Sequence, residues 1–168
     1  LEEEVSLPGY REPAEVRKAM ERADIYLVTS GRKEGWGAVV NEAMNSGCAV
    51  VADAMIGAAP YLIRPGQNGY AYETGREDQL LQIVSGLLRD RKSCRRIGEN
   101  AYDTIIQEWN ADVAAERLTA FCIGKGFLHT DTKGTEKTYE LPASGPCSAA
   151  PVISEWKMYR AMKEGKIL

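Results

Sequence analysis

Histidine is almost absent from this chain of 168 residues, in which His129 is the only one. Cysteine is also scarce, and Cys48, Cys94, Cys122 and Cys147 include no C-x-x-C pair. A zinc site built from protein ligands, or any other protein-bound metal, is therefore not expected. We interpret the four cysteines as reduced thiols of a cytoplasmic protein.

The chain also lacks an excess of positive charge and a long apolar run. Its net charge of −3 argues against nucleic-acid binding, and no apolar stretch is long enough to form a transmembrane segment. The N-terminal residues 1–4 are mostly acidic. They lack both the basic segment and the apolar segment of a secretory signal. The first residue is Leu1, so we expect either a fragment or a processed product. With 44% apolar residues, the composition is that of a soluble globular protein.

Short apolar segments alternate with helical patterns along most of the chain. The apolar pattern predicts strands at residues 5–7, 24–28, 48–52 and 70–72. Helical patterns follow them at residues 12–23, 38–46, 57–63, 77–89, 93–107 and 110–121, with Ser93 and Asn110 as predicted N-caps. Strands that alternate with helices indicate an α/β fold, a Rossmann-like parallel sheet with flanking helices.

Ligands of such sheets bind outside the carboxyl ends of the strands. The polar loop at residues 30–37 and the side chain of Asp53 both follow predicted strands, so we expect them at that edge. A helix that begins near Gly37 would direct its free N–H groups and positive dipole end to the same place. The sequence therefore predicts a site suited to a diphosphate at the start of this helix.

Glu34 and Glu42 flank the predicted diphosphate position. Glu42 lies about 7 Å along the helix axis from its start, an offset that suits a ribose diol. It also lies off the apolar stripe of the helix, which is formed by Val39, Val40, Ala43 and Met44. Glu34 precedes the helix, where its carboxylate would reach the hydroxyls of an attached sugar. The alternative is that both glutamates are solvated surface residues.

The segments E-G-W-G at 34–37, E-A-M at 42–44, G-C-A-V-V-A at 47–52 and P-G-Q-N-G-Y at 65–70 form one pattern. It resembles the E-x7-E signature of GT-B retaining glycosyltransferases of family 4 (group 1), in their C-terminal donor-binding domain. The resemblance extends over about residues 5–122. The chain departs from the family's usual residues at Trp36 for Phe, Ala49 for Pro and Tyr61 for Glu.

The resemblance implies a role for each matched residue. Glu34 would contact the donor sugar as the catalytic-site residue, and Glu42 would hold the ribose. The other implied nucleotide-sugar contacts are the backbone of Gly35, Trp36 and Gly37, and the residues near the base, Tyr10 and Arg11. For Tyr10, an exposed aromatic side chain in a loop, with no contact to the base, is an alternative of equal weight.

The resemblance also implies the reaction and the partners. A hexose would pass from a UDP- or GDP-linked donor to a glycan or lipid-linked acceptor, with retention of configuration, in polysaccharide biosynthesis. No cofactor or metal is implied. Residues 1–123 would form a partial nucleotide-sugar-binding domain, and residues 124–168 an extended linker with a C-terminal helix at 154–163. The location would be cytoplasmic, either free or peripheral at the inner membrane face.

Two other hypotheses compete with this one. A dinucleotide-binding dehydrogenase domain would also use Gly35, Gly37 and Asp53, but its fingerprint requires Gly at position 40 and glycines directly after the strand. A catalytically incomplete nucleotide-binding fragment, or a partner subunit, would need an N-terminal acceptor domain in trans. We expect the chain alone to be inactive.

Overall fold

A computed structural model describes residues 4–127 of the chain. Three strands form a parallel sheet in the order β1 (Ile25–Val28), β2 (Ala49–Asp53) and β3 (Gly69–Tyr72). Ile25 pairs with Ala49, and Val50 pairs with Gly69. The predicted α/β fold with a parallel sheet and flanking helices is confirmed.

The helices follow the predicted order. They are α1 (Pro13–Arg22), α2 (Ala38–Asn45), α3 (Ala59–Leu62), α4 (Glu77–Arg89), α5 (Arg91–Glu108) and α6 (Ala111–Gly124). Asn110 caps α6 as predicted, since its side chain accepts a hydrogen bond of 2.9 Å from Val113 N. Ser93 does not cap α5: the N-cap is Asp90, whose carboxylate accepts 3.0 Å from Ser93 N. A carboxylate at this position accepts more strongly than a hydroxyl, and α5 therefore begins two residues earlier than predicted.

The central strand β2 is buried on both faces, as its continuous apolar sequence indicates. On one face, Val50 and Ala52 pack with Val40 and Met44 of α2. On the other, Ala49 and Val51 pack with a cluster formed by Tyr72, Leu87, Cys94 and Ile97. Helix α5 contributes to both clusters, and the central strand is covered on both sides. This arrangement leaves the carboxyl ends of the strands as the edge where loops and helix termini meet.

The predicted strand at residues 5–7 is wrong, because this segment is irregular and Leu7 is 91% exposed. A strand is stable only when its backbone groups pair with a neighbour. Among residues 4–127 no strand lies beside it, and Pro8 and Gly9 interrupt it after three residues. The apolar pattern alone therefore did not decide the structure here.

The turn at residues 65–70 is held by a buried amide. Asn68 is 2% exposed and donates 2.9 Å hydrogen bonds to Leu62 O and to Thr104 Oγ1. Its Oδ1 accepts from Arg64 N at 2.6 Å. The side chain of Asn68 thus links the turn before β3 to α5.

Several predictions fall on residues 128–168, outside the described residues. They are most of the linker predicted at residues 124–168, the helix at 154–163, and the interpretations of His129 and Cys147. The domain boundary at residue 123 also stays a prediction. Within the described part, Cys48, Cys94 and Cys122 are free thiols. Burial, with smaller contributions from Asp24 and Cys94, raises the pKa of Cys48 to about 11. No helix in residues 4–127 is long and apolar enough to cross a membrane.

Candidate functional site

The predicted ligand edge is formed by the loops that follow β1 and β2. The loop after β1 contains a 3-10 helix, Gly31–Glu34. Asp53 is the last residue of β2 and is buried, with Oδ1 accepting from Met55 N at 2.8 Å and from Thr74 Oγ1 at 2.7 Å. Asp53 therefore lies at this edge as expected, where its carboxylate organises the surrounding loops.

The turn at residues 35–37 is fixed against the loop after β2. Gly57 N donates to Gly35 O at 2.8 Å, and Ala58 N donates to Trp36 O at 2.7 Å. Gly57 has no room for a side chain, because a Cβ there would collide with Gly35 O. These contacts hold the chain rigidly as it enters α2.

Gly37 is the N-cap of α2, with a positive φ of 77° that an L side chain rarely adopts. A methyl group added there would lie 2.5 Å from Cγ2 of Ile56 and 3.3 Å from Cγ of Glu34. Among the described residues, no side chain caps this helix. Val40 N donates to Gly37 O at 2.9 Å. Binding of an anion by the N–H groups at the start of α2 stays a prediction.

A groove between α1 and α2 brings together predicted site residues from distant parts of the sequence. Tyr10 and Arg11, in the segment before α1, line it together with Glu42 on α2. Its volume is about 520 Å³, within the range of small-molecule sites. Glu42 is exposed, off the buried stripe, as predicted. Burial raises the pKa of Tyr26, and the nearby charge of Glu42 adds to that shift.

Glu34 lies apart from this groove, at the N-terminal end of α2. It ends the 3-10 helix and is exposed, with its Cγ beside Gly37. Gly35 and the backbone of Trp36 lie in the adjoining turn. In the described residues, the predicted sites thus form two neighbouring parts, a groove beside α2 and a turn at its start.

Three aromatic rings form a cluster that the sequence did not reveal. Trp36 has its ring centroid 5.7 Å from that of Tyr61 and 6.0 Å from that of Trp109. Tyr61 and Trp109 are 6.4 Å apart. The three residues come from the turn before α2, from α3 and from the end of α5, and no periodic pattern connects them. The available signals were Trp36 and Tyr61, which both depart from the residues usual in the resembled family.

Potential metal ligands do not gather at the site. Within residues 4–127, no three side chains of His, Cys, Asp or Glu lie close enough together to hold a metal ion.

Comparison with known families supports the group 1 part of the resemblance. The profile of the family Glycosyl transferases group 1 matches residues 1–104. This segment includes β1, β2, β3, the turn at residues 35–37 and all of α2. No curated protein matches the chain significantly.

Ten chains of known structure match this one. They include the crystal structure of the C-terminal domain of a glycosyl transferase group 1 family protein, LpcC, from Francisella tularensis. It is 30% identical in sequence, with a TM-score of 0.57 over 62% of this chain. The match covers 53% of that structure, so the chain spans about half of its length.

Proposed function

Because the chain belongs to the glycosyl transferases of group 1, we propose that its described domain binds the nucleotide-sugar donor. The observation that carries the proposal is the groove in which Tyr10 and Arg11 meet Glu42 on the second half of α2, the helix whose start has no side-chain cap. A nucleoside diphosphate needs a surface for the base, an acceptor for the ribose hydroxyls and donors for the phosphates. The candidates for these three roles are the ring of Tyr10, the carboxylate of Glu42 and the N–H groups at the start of α2.

The diphosphate would lie at the N-terminus of α2, where N–H groups and the helix dipole favour an anion. Glu42 lies four residues after the first residue of α2, about 6 Å further along the axis, where it accepts from both ribose hydroxyls. Tyr10 offers its ring to the base, and the Arg11 guanidinium adds positive charge in the groove.

Glu34 would bind the hydroxyls of the sugar beyond the diphosphate. Its exposed carboxylate beside Gly37 lies at the end of α2 opposite to the ribose position. The pair Glu34 and Glu42 then corresponds to the E-x7-E pattern, with one glutamate at each end of the diphosphate. Neither is assigned as a nucleophile.

The proposed reaction is transfer of a hexose from a UDP- or GDP-linked donor to a glycan or lipid-linked acceptor, with retention of configuration. The leaving diphosphate would be stabilised by the N–H groups at the start of α2, without a metal ion. In the two-domain GT-B architecture that we infer, the acceptor binds to the other domain, in the same polypeptide or in trans.

The test is calorimetric titration of the full 168-residue chain with UDP, GDP and ADP. We expect one of the three to bind, and the preferred one identifies the base. Circular dichroism and thermal unfolding establish that the titrated protein is folded. A folded chain that binds none of the nucleotides would contradict the proposed donor site.

We expect Glu34→Ala to remove the preference for the nucleotide sugar over the free nucleoside diphosphate. One lost charged hydrogen bond at an exposed site corresponds to about tenfold weaker binding of the nucleotide sugar. Affinity for the nucleoside diphosphate itself stays nearly constant, because Glu34 lies outside the groove. The measurement is the ratio of the two dissociation constants.

Glu99→Ala is the matched control for this variant, since Glu99 is an exposed carboxylate on α5. It should leave both dissociation constants unchanged. If Glu34→Ala weakened both ligands equally, the assignment of Glu34 to the sugar would be wrong.

A further inference from the structure

Helix α6 carries apolar side chains on every side, although none of its residues is buried. Nine of its 14 residues are apolar, and residues 118–124 include no charged side chain. A helix that is apolar all round is normally enclosed by other elements. Within residues 4–127, α6 therefore has more apolar surface than its neighbours cover.

The two sides of α6 differ in exposure. Val113, Ala120 and Ile123 are half-buried. Leu118 and Phe121, by contrast, are 64% and 47% exposed. Because residues three apart lie on the same side of a helix, Leu118 and Phe121 form one patch, which we call the open side of α6. A partner that covered this patch would remove two large apolar side chains from water.

The chain leaves α6 through a well-formed helix end. Gly126 has a positive φ of 73°, and its N–H donates to Ile123 O at 2.9 Å. Phe127 N donates to Cys122 O at 2.8 Å. This pair of hydrogen bonds is the Schellman motif, which ends a helix and turns the chain off the helix axis. The residues that follow Phe127 therefore start beside the C-terminal end of α6.

Residues 152–162 have a sequence pattern suited to the open side of α6. They overlap the helix that the sequence predicts at residues 154–163. Apolar residues recur in this segment at spacings of three and four, namely Val152, Trp156, Tyr159 and Met162. This spacing gives a helix one apolar stripe, and such a stripe is stabilised by packing against another apolar surface.

The intervening residues 128–151 are long enough to bring this segment back along α6. The 14 residues of α6 extend over about 21 Å. A polar linker of the length of residues 128–151, treated as a random coil, has an r.m.s. span of about 25 to 30 Å. Because the two lengths match, the effective concentration of the segment at α6 is of millimolar order. A second copy of the chain would need a comparable protein concentration to compete, which favours the chain's own segment as the occupant.

We propose that residues 152–162 pack on the open side of α6 in the same chain, with Trp156 against Leu118 and Phe121. The proposal is independent of the proposed donor site, because no residue assigned to that site belongs to α6. The contact would join part of residues 128–168 to the folded unit formed by residues 4–127.

Nuclear Overhauser measurements on the full chain test the contact directly. Trp156→Phe identifies the indole resonance of Trp156 among the three tryptophans of the chain. We expect cross-peaks between that indole and the methyl groups of Leu118. The amides of residues 152–162 should also exchange with solvent about tenfold more slowly than in an unstructured peptide.

Leu118→Ser and Trp156→Ser remove the contact from its two sides. Each should accelerate exchange within residues 152–162 about tenfold, because one apolar side chain no longer contributes to the contact. Leu88→Ser is the matched control, since Leu88 is 61% exposed but lies on α4. It should leave this exchange unchanged. Circular dichroism establishes that each variant is folded, and Trp156→Ser tests the contact even if Leu118→Ser does not fold.

Three results would overturn the proposal. The first is absence of the cross-peaks, or exchange of residues 152–162 at the peptide rate, in the folded wild-type chain. The second is equal exchange in Leu88→Ser and in the folded contact variants. The third is loss of protection on dilution, which would assign the contact to a second copy of the chain. Protection that is independent of protein concentration supports packing within one chain.

Discussion

Glu42→Ala is expected to weaken binding of the nucleoside diphosphate about 100-fold. A carboxylate that accepts from two neighbouring ribose hydroxyls forms two charge-assisted hydrogen bonds, each worth about 1.5 to 3 kcal/mol. Because the site is exposed to solvent, we take the lower value, and loss of about 3 kcal/mol corresponds to the 100-fold change. The fold should be unaffected, because Glu42 is exposed and lies off the buried stripe of α2.

Two control variants separate this role from a general effect of charge. Glu42→Gln keeps one acceptor oxygen and loses the negative charge, so we expect a smaller loss of about tenfold. Glu99→Ala removes an exposed carboxylate from α5 and should leave nucleotide affinity unchanged. Calorimetry measures all three, and equal affinities in the wild type and Glu42→Ala would exclude Glu42 from the ribose site.

Local patterns in the sequence were sufficient to predict helix α2 and the exposure of Glu42. The apolar spacing of Val40, Ala43 and Met44 specifies which side of the helix is buried, and Glu42 lies off that side. The parallel sheet follows from the same kind of pattern. The meeting of Tyr10 with Glu42 in one groove was expected only from the family resemblance, because no local rule joins residues in separate elements.

Features that depend on contacts between distant segments were not predicted. The hydrogen bonds from the segment at residues 57–58 to the turn at residues 35–37 form only when two loops meet at the sheet edge. The cluster of aromatic rings similarly depends on Tyr61 of α3 and Trp109 at the end of α5 both reaching Trp36. The wrong strand at residues 5–7 has the same origin, since strand formation requires a neighbour that the apolar pattern cannot specify.

The second large effect is expected at Gly37, where an added methyl group meets both an unfavourable backbone and a close neighbour. Its φ of 77° costs an L residue about 1 to 2 kcal/mol. The methyl group would also lie 2.5 Å from Ile56 Cγ2, in a fully buried part of the core. Forcing extra volume into a packed core costs about 1 to 3 kcal/mol. We expect Gly37→Ala to lower the free energy of unfolding by about 3 kcal/mol, measured by urea denaturation.

Gly75→Ala isolates the two contributions, because Gly75 has a similar φ of 79° but nothing within 4 Å of an added methyl group. It should lose only the backbone part, about 1 to 2 kcal/mol. If the collision with Ile56 supplies the rest, Gly37→Ala combined with Ile56→Ala should be less destabilised than the sum of the single variants. Additive losses would instead place the whole effect in the backbone. Since Gly37 opens α2, its variant should also bind nucleoside diphosphate more weakly while Gly75→Ala binds normally, which links the packing of this turn to the proposed phosphate site.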